Sequence, residues 1–277
     1  MEPGSGNGTR VRIRLGTACD RGIKRPYNED GTLVLRAARN FGGERRVLRL
    51  LAVADGMGGL EAGEVASRLA LSSVAGTLLQ RLPEIEDANA GAAALRNAFE
   101  AANERVLRAP RADANARMGT TLVVACALGD DLFVGNVGDS RCYFIRKGEI
   151  ERATRDDSLV QQMVDRREIT EAEAAHHPRR NEITNAIGLF PTQDFTATIK
   201  GPQPLPDYDY LLLCSDGLHG VVSDAGIRAT VLEANRPGAA ARALVEAAKA
   251  RGGPDNISVI VARVLPALPA VIAPGTP

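Results

Sequence analysis

Four aspartates stand where apolar runs meet glycine, an arrangement suited to oxygen ligands for a hard divalent cation. Residues 50–54 (Leu-Leu-Ala-Val-Ala) lead into Asp55-Gly56-Met57-Gly58-Gly59. Residues 210–215 lead into Asp216-Gly217, and residues 132–137 into Gly138-Asp139-Ser140. Gly252-Gly253-Pro254-Asp255-Asn256 opens the apolar run 257–264. Buried strands fix such carboxylates at the rim of a sheet, where Mg²⁺ and Mn²⁺ find rigid oxygens. One Asp-Gly pair alone reads as a turn. Several together, each ending an apolar run with few basic neighbours, need a cationic partner, because an unpaired carboxylate is costly there. With three histidines and no Cys-x-x-Cys, a zinc site is a poor fit and oxygen-only ligation by Mg²⁺ or Mn²⁺ is favoured. His176-His177 reads as part of a solvated face and His219 as structural.

A second cluster is Arg25-Pro26-Tyr27-Asn28-Glu29-Asp30-Gly31. It is either a polar turn, or a source of two more carboxylates and a guanidinium able to grip phosphate with two N–H groups. Gly56-Met57-Gly58-Gly59 lacks the Gly-x-x-x-x-Gly-Lys-Ser/Thr pattern, so it is not a P-loop.

The elements that must position these residues follow from hydrophobic period. Strand patterns fall at 11–19, 32–37, 46–54, 120–128, 131–137, 141–146, 150–153, 195–200, 208–215 and 257–264. Helical patterns cover 63–82, 91–107, 223–234 and 238–250, with two short helices within 156–178, the second opened by a Thr170–Glu173 capping box. The turns at Gly129-Asp130 and Lys147-Gly148 are too short for parallel crossovers, so the strands they join are antiparallel. Two antiparallel sheets packed face to face, with helix pairs outside, bury every apolar face. The expected fold is α+β, a four-layer α-β-β-α sandwich in one domain over 11–265. Residues 1–10 read as a disordered tail and 266–277 as a Pro/Ala-rich one.

The bulk properties agree. The chain has 277 residues, 34 basic and 34 acidic side chains and no net charge, which argues against a broad nucleic-acid-binding face. No apolar stretch reaches the roughly 20 residues that span a bilayer. The four cysteines are scattered and read as reduced thiols, so a cytoplasmic, soluble protein with no membrane contact is expected.

The ordered set Arg25-x-x-Asn28-Glu29-Asp30, Asp55-Gly56-Met57-Gly58-Gly59, Gly119-Thr120-Thr121, Gly138-Asp139-Ser140-Arg141, Ser215-Asp216-Gly217 and Gly253-x-Asp255-Asn256 resembles the metal-dependent serine/threonine protein phosphatases of type 2C, the PPM family, and most of all its compact bacterial members. The resemblance runs from about residue 16 to 264. It implies two Mn²⁺ or Mg²⁺ ions: Asp55 bridges both, with the Gly56 carbonyl as a further ligand, Asp216 and Asp255 hold one, and Glu29 helps hold the other. It implies a third, weaker site at Asp139 with Asp216. Asp30 orients water, Arg25 grips the substrate phosphate and Asn256 supports the ligand loop. The implied reaction is direct attack of a metal-bridging hydroxide on phosphoserine or phosphothreonine in proteins, with no covalent phosphoenzyme. The implied setting is opposition to a bacterial serine/threonine kinase, by a monomer. Residues 156–188 correspond to the flap beside the site, its Arg166, Arg167, Arg179 and Arg180 facing either acidic substrates or water. Many eukaryotic members carry His where Met57 stands; Met cannot donate a proton, and bacterial members commonly have it. A non-catalytic phosphoprotein-binding relative and a small-phosphoester hydrolase are the competing expectations; the intact carboxylate set argues against the first and the absence of a nucleoside-binding signature against the second.

Overall fold

The computed structural model describes residues 11–41, 44–58, 62–110 and 118–266. Both expected tails, apart from Pro266, lie outside the described residues, as does Gly59. The strands are β1 (Val11–Asp20), β2 (Asp30–Phe41), β3 (Glu44–Gly58), β4 (Met118–Thr120), β5 (Leu122–Leu128), β6 (Asp131–Val137), β7 (Arg141–Arg146), β8 (Glu149–Arg152), β9 (Thr198–Pro204), β10 (Tyr210–Cys214) and β11 (Ile257–Pro266). The helices are α1 (Ala62–Arg81), α2 (Ala88–Leu107), α3 (Leu159–Asp165), α4 (Glu171–Ala174), α5 (Asp216–His219), α6 (Asp224–Glu233) and α7 (Pro237–Ala250).

One sheet has the order β1-β11-β10-β7-β8 and the other β2-β3-β5-β6-β9, with β4 pairing β3. Every named strand pair is antiparallel. The period of two in β3 shows how the layers are built. Leu50, Ala52 and Ala54 face one way, into a core shared with α1 and α2, where Ala66, Ala70, Val74 and Leu78 recur every four residues. Leu51 and Val53 face the other way, against Leu213, Ile260 and Phe144 of the opposite sheet. Behind that sheet, Leu212, Val259 and Val261 meet Leu244, Val245 and Ala248 of α7. The α-β-β-α order expected from the sequence is the one found.

Three local expectations are corrected. Asp55-Gly56 is not a turn: β3 runs through it to Gly58, because Gly56, Met57 and Gly58 pair with Thr120, Gly119 and Met118 of β4. Asp216-Gly217 opens α5, a helical turn too short to leave a periodic signal. The strand expected at 195–200 lies at Thr198–Pro204, where β6 supplies its ladder partners. The Thr170–Glu173 capping box is present as expected. Val160 of α3 is buried against the body, with Leu159, Met163 and Val164 half-buried around it. Among the described residues no helix is long and apolar enough to cross a membrane.

Candidate metal centre

The sheets deliver their carboxylates to one rim. Asp30 and Asp55 are direct partners in the β2–β3 ladder. The Asp55 backbone is clamped on both sides: its N–H donates to Thr121 Oγ1 (3.0 Å), and its carbonyl accepts from Thr120 Oγ1 (2.9 Å) and Thr121 N (2.9 Å). Glycine is required next to it, because a Cβ on Gly56 would lie 2.1 Å from the Gly63 carbonyl and 2.6 Å from that of Glu29. This close approach lets Glu29 Oε1 accept from Gly63 N (3.2 Å), while Ser67 Oγ donates to the Glu29 carbonyl (2.7 Å).

The other sheet contributes Asp216 and Asp255. Ser215, fully buried, donates through Oγ to Asp30 Oδ2 (2.7 Å) and accepts from Ser258 N (3.0 Å). A Cβ on Gly217 would fall 1.9 Å from the Asn256 carbonyl, so only glycine lets α5 press against the entry to β11. Asn256 fastens the remaining loop: Nδ2 donates to the carbonyls of Arg21 (2.9 Å) and Tyr27 (2.8 Å), and Oδ1 accepts from Glu29 N (2.8 Å). All three bonds go to backbone, so Asn256 positions the loop rather than facing the reacting groups. Arg25 Nη2 donates to Asp255 Oδ2 at 2.6 Å, with half of the arginine side chain exposed.

Burial is the leading influence on these acids. It raises the Asp30 pKa to about 7 and that of Asp216 to about 6, with neighbouring carboxylates adding to the shift. Asp55 is pushed well above the usual carboxylate range, by burial first and then by Asp30, Asp216, Asp139 and Asp255. Asp139 is likewise raised, by burial and by Asp216 and Asp156. Glu29 is raised by burial despite the Gly63 N–H and Arg25. Each of these groups gains by facing positive charge. Asp30 Oδ1 and Asp216 Oδ1 are buried without a hydrogen-bond partner, as expected of oxygens aimed at a cation or its water. Hard, oxygen-only donors of this kind suit Mg²⁺ or Mn²⁺.

Asp139 lies between this rim and the flap. His219 Nε2 lies 3.0 Å from the Asp139 carbonyl, and since a carbonyl only accepts, Nε2 carries the proton. Burial, and then Arg141, lower the His219 pKa to about 3, so the ring is neutral and structural, as the sequence suggested. Arg141 grips Asp156 through Nε (3.0 Å) and Nη2 (2.6 Å), fastening the flap's first residue to β7. A cavity of about 520 Å³ opens under the flap, with Asp139, Asp216, His219, Val160 and Arg180 in its walls. Arg179 is taken up by Glu182 at 2.6 Å and Arg166 lies 3.9 Å from Glu168, so these two charges are answered locally. His176 is exposed, and His177 Nδ1 accepts from Arg179 N (3.1 Å).

Every residue singled out from the sequence thus falls on or beside this rim: Arg25, Glu29, Asp30, Asp55, Gly56, Asp139, Asp216, Asp255 and Asn256. Among the described residues no three acidic, His or Cys side chains close into a preformed cation cage; Asp255 is drawn toward Arg25 instead. Sequence reasoning missed Ser67, since single hydroxyls are common, and it assigned no role to Thr121, Ser140 or Ser215, which entered only as members of the ordered motifs. The thiols of Cys126, Cys142 and Cys214 are buried and free, while Cys19 is exposed.

A family model described as protein phosphatase 2C matches residues 24–178. The chain belongs to the protein phosphatase 2C family. The serine/threonine protein phosphatase PstP of Mycobacterium tuberculosis is 38% identical over 257 residues, 91% of this chain and 45% of PstP. The chain therefore spans about half the length of that relative. Another, the serine/threonine phosphatase stp of Listeria welshimeri, is 31% identical over 248 residues, covering 87% of this chain and 92% of its own. Among solved structures, the M. tuberculosis serine/threonine phosphatase PstP/Ppp superposes with a TM-score of 0.76 at 35% identity, covering 91% of this chain and 98% of the other. The PstP catalytic domain in complex with two manganese ions superposes with a TM-score of 0.72 at 34% identity, covering 92% and 99%. The four-layer fold is shared with these phosphatases.

Proposed function

We propose that this protein is a Mn²⁺- or Mg²⁺-dependent phosphatase that hydrolyses phosphoserine and phosphothreonine on proteins. The observation that carries the reading is the group of buried carboxyls, Asp30, Asp55, Asp139 and Asp216, raised together at one rim with two oxygens unpartnered. Glu29, Asp55, Asp216 and Asp255, with the Gly56 carbonyl, would hold two cations, and Asp139 with Asp216 a third. When bound, such ions supply an acidified water and offset charge on the phosphoryl oxygens. The chain's own groups do the rest. Arg25, with one N–H on Asp255 and its side chain half exposed, turns its other donors to the phosphate. Asp30, steadied by Ser215, uses Oδ1 to orient the attacking water. Attack in line with the departing serine or threonine oxygen needs no nucleophilic side chain, which agrees with burial of three of the four thiols. Met57 offers no proton to the leaving oxygen, so aryl phosphates, with their better leaving groups, are the less demanding substrates.

The kinship with named protein phosphatases and with a two-manganese structure supports this reading. The substrates would be cytoplasmic phosphoproteins modified by a serine/threonine kinase of the same cell, and the enzyme would act as a monomer. The test is release of phosphate from a phosphothreonine peptide, with and without Mn²⁺. Hydrolysis that survives excess chelator rules the proposal out.

A further inference from the structure

We propose that the Thr121–Ser140 hydroxyl pair pins the link between the two sheets and so sets Asp139 at its distance from Asp55. The inference rests on the metal-centre reading above and assigns positioning roles to two residues that are not themselves ligands. Thr121 Oγ1 lies 2.7 Å from Ser140 Oγ, and the side chains are 2% and 1% exposed. Thr121 stands between β4 and β5 in the sheet that carries Asp55; Ser140 lies in the short link, residues 138–140, from β6 of that sheet to β7 of the sheet that carries Asp216. The bond therefore fastens the link that carries Asp139 to the start of β5.

Thr121 Oγ1 accepts the Asp55 N–H and shares one further hydrogen bond with Ser140 Oγ, in which either hydroxyl can be the donor. The contacts run from Asp55 N–H to Thr121 Oγ1 to Ser140 Oγ, and Ser140 is the covalent neighbour of Asp139. Asp139 is in turn held from α5 by His219 Nε2, and α5 begins at Asp216. The backbones beside three of the acids are thus connected around the rim. The methyl arm of Thr121 works separately: a Cβ on Gly138 would lie 2.7 Å from Thr121 Cγ2, so the loop before Asp139 packs directly on that methyl. One β-branched side chain therefore both spaces and bonds the link between the two sheets.

The two arms separate experimentally. Thr121→Val keeps the methyl contact and removes the hydroxyl; Thr121→Ser does the reverse; Ser140→Ala removes the partner hydroxyl. Mn²⁺ binding would be measured by titration calorimetry on each protein, alongside the melting temperature without metal. Loss of a group that orients a ligand lowers metal affinity about 10–100-fold. The expected result is such a loss at the weakest Mn²⁺ step in Thr121→Val and Ser140→Ala, near-native binding in Thr121→Ser, and no loss in the Val/Ala double variant beyond that of Thr121→Val, which already breaks the bond to Ser140 along with the one from Asp55 N–H. Isotherms of Thr121→Val and Ser140→Ala that superimpose on the wild type overturn the proposal, as do losses that multiply in the double variant. If Thr121→Val fails to fold, Ser140→Ala against Thr121→Ser decides the matter. A wild-type protein that binds no Mn²⁺ overturns the metal-centre reading itself, a distinct outcome.

Discussion

Asp30 and Asp55 face each other across the β2–β3 ladder, and after burial Asp30 is the first of the neighbours that push the Asp55 carboxyl up. Burial lifts Asp30 to about 7 and Asp216 to about 6, against an unfolded value of 3.8. A carboxyl with a raised folded pKa binds more protons in the native state, so its contribution is complete below the unfolded value and is lost as pH climbs through the folded one. Metal-free protein should therefore lose thermal stability between about pH 4 and 7. Added Mn²⁺ should raise the melting temperature more at pH 7.5 than at pH 5. A metal-free melting temperature that rises steadily over that interval would contradict these shifts.

Asp55→Asn removes the carboxylate at the middle of the rim. Groups that merely orient a ligand cost about 10–100-fold when lost, so the Asp55 variant should fall by more than that in kcat/KM. The check is the rate of phosphopeptide hydrolysis at saturating Mn²⁺, with circular dichroism to confirm the fold.

Arg25→Ala removes a half-exposed guanidinium paired to Asp255. If that group mainly binds the phosphate in the ground state, KM rises more than kcat falls. Steady-state kinetics with one phosphothreonine peptide would reveal this; an unchanged KM would exclude the role.

Asn256→Ala deletes three hydrogen bonds to backbone in the 21–29 loop. Arg21 and Tyr27 are exposed and Glu29 half-buried, so water can reach the freed groups, and urea unfolding should show a loss of about 1–3 kcal/mol in all. Asn256→Asp should not rescue it, since a carboxylate cannot donate to the Arg21 and Tyr27 carbonyls.

Why the acids could be found in the sequence and their supports could not is a matter of contrast. Asp55, Asp216 and Asp255 interrupt or open apolar runs, and a charge in such a place is conspicuous. The layering was readable for a similar reason, since β3 is apolar on both faces over residues 50–54, as a strand between two layers must be, and α1 repeats every four residues. Thr121, Ser140 and Ser215 stand in the ordered motifs, but their work was not readable there, because it depends on partners 19 to 185 positions away in the chain. Asp55-Gly56 was misleading in a particular way. Its glycine answers a need for closeness to Gly63 and Glu29, not for a reversal of direction, and local statistics cannot distinguish the two.

β3 joins the hydrophobic interior to the acidic rim in fifteen unbroken residues, paired to β2 on one side and to β5 and then β4 on the other. Asp55 therefore belongs to the strand that opens last, not to a fraying loop. On heating, loss of activity and loss of far-ultraviolet ellipticity should follow one curve, and a protease should find no early cut that disables the enzyme while leaving the rest folded.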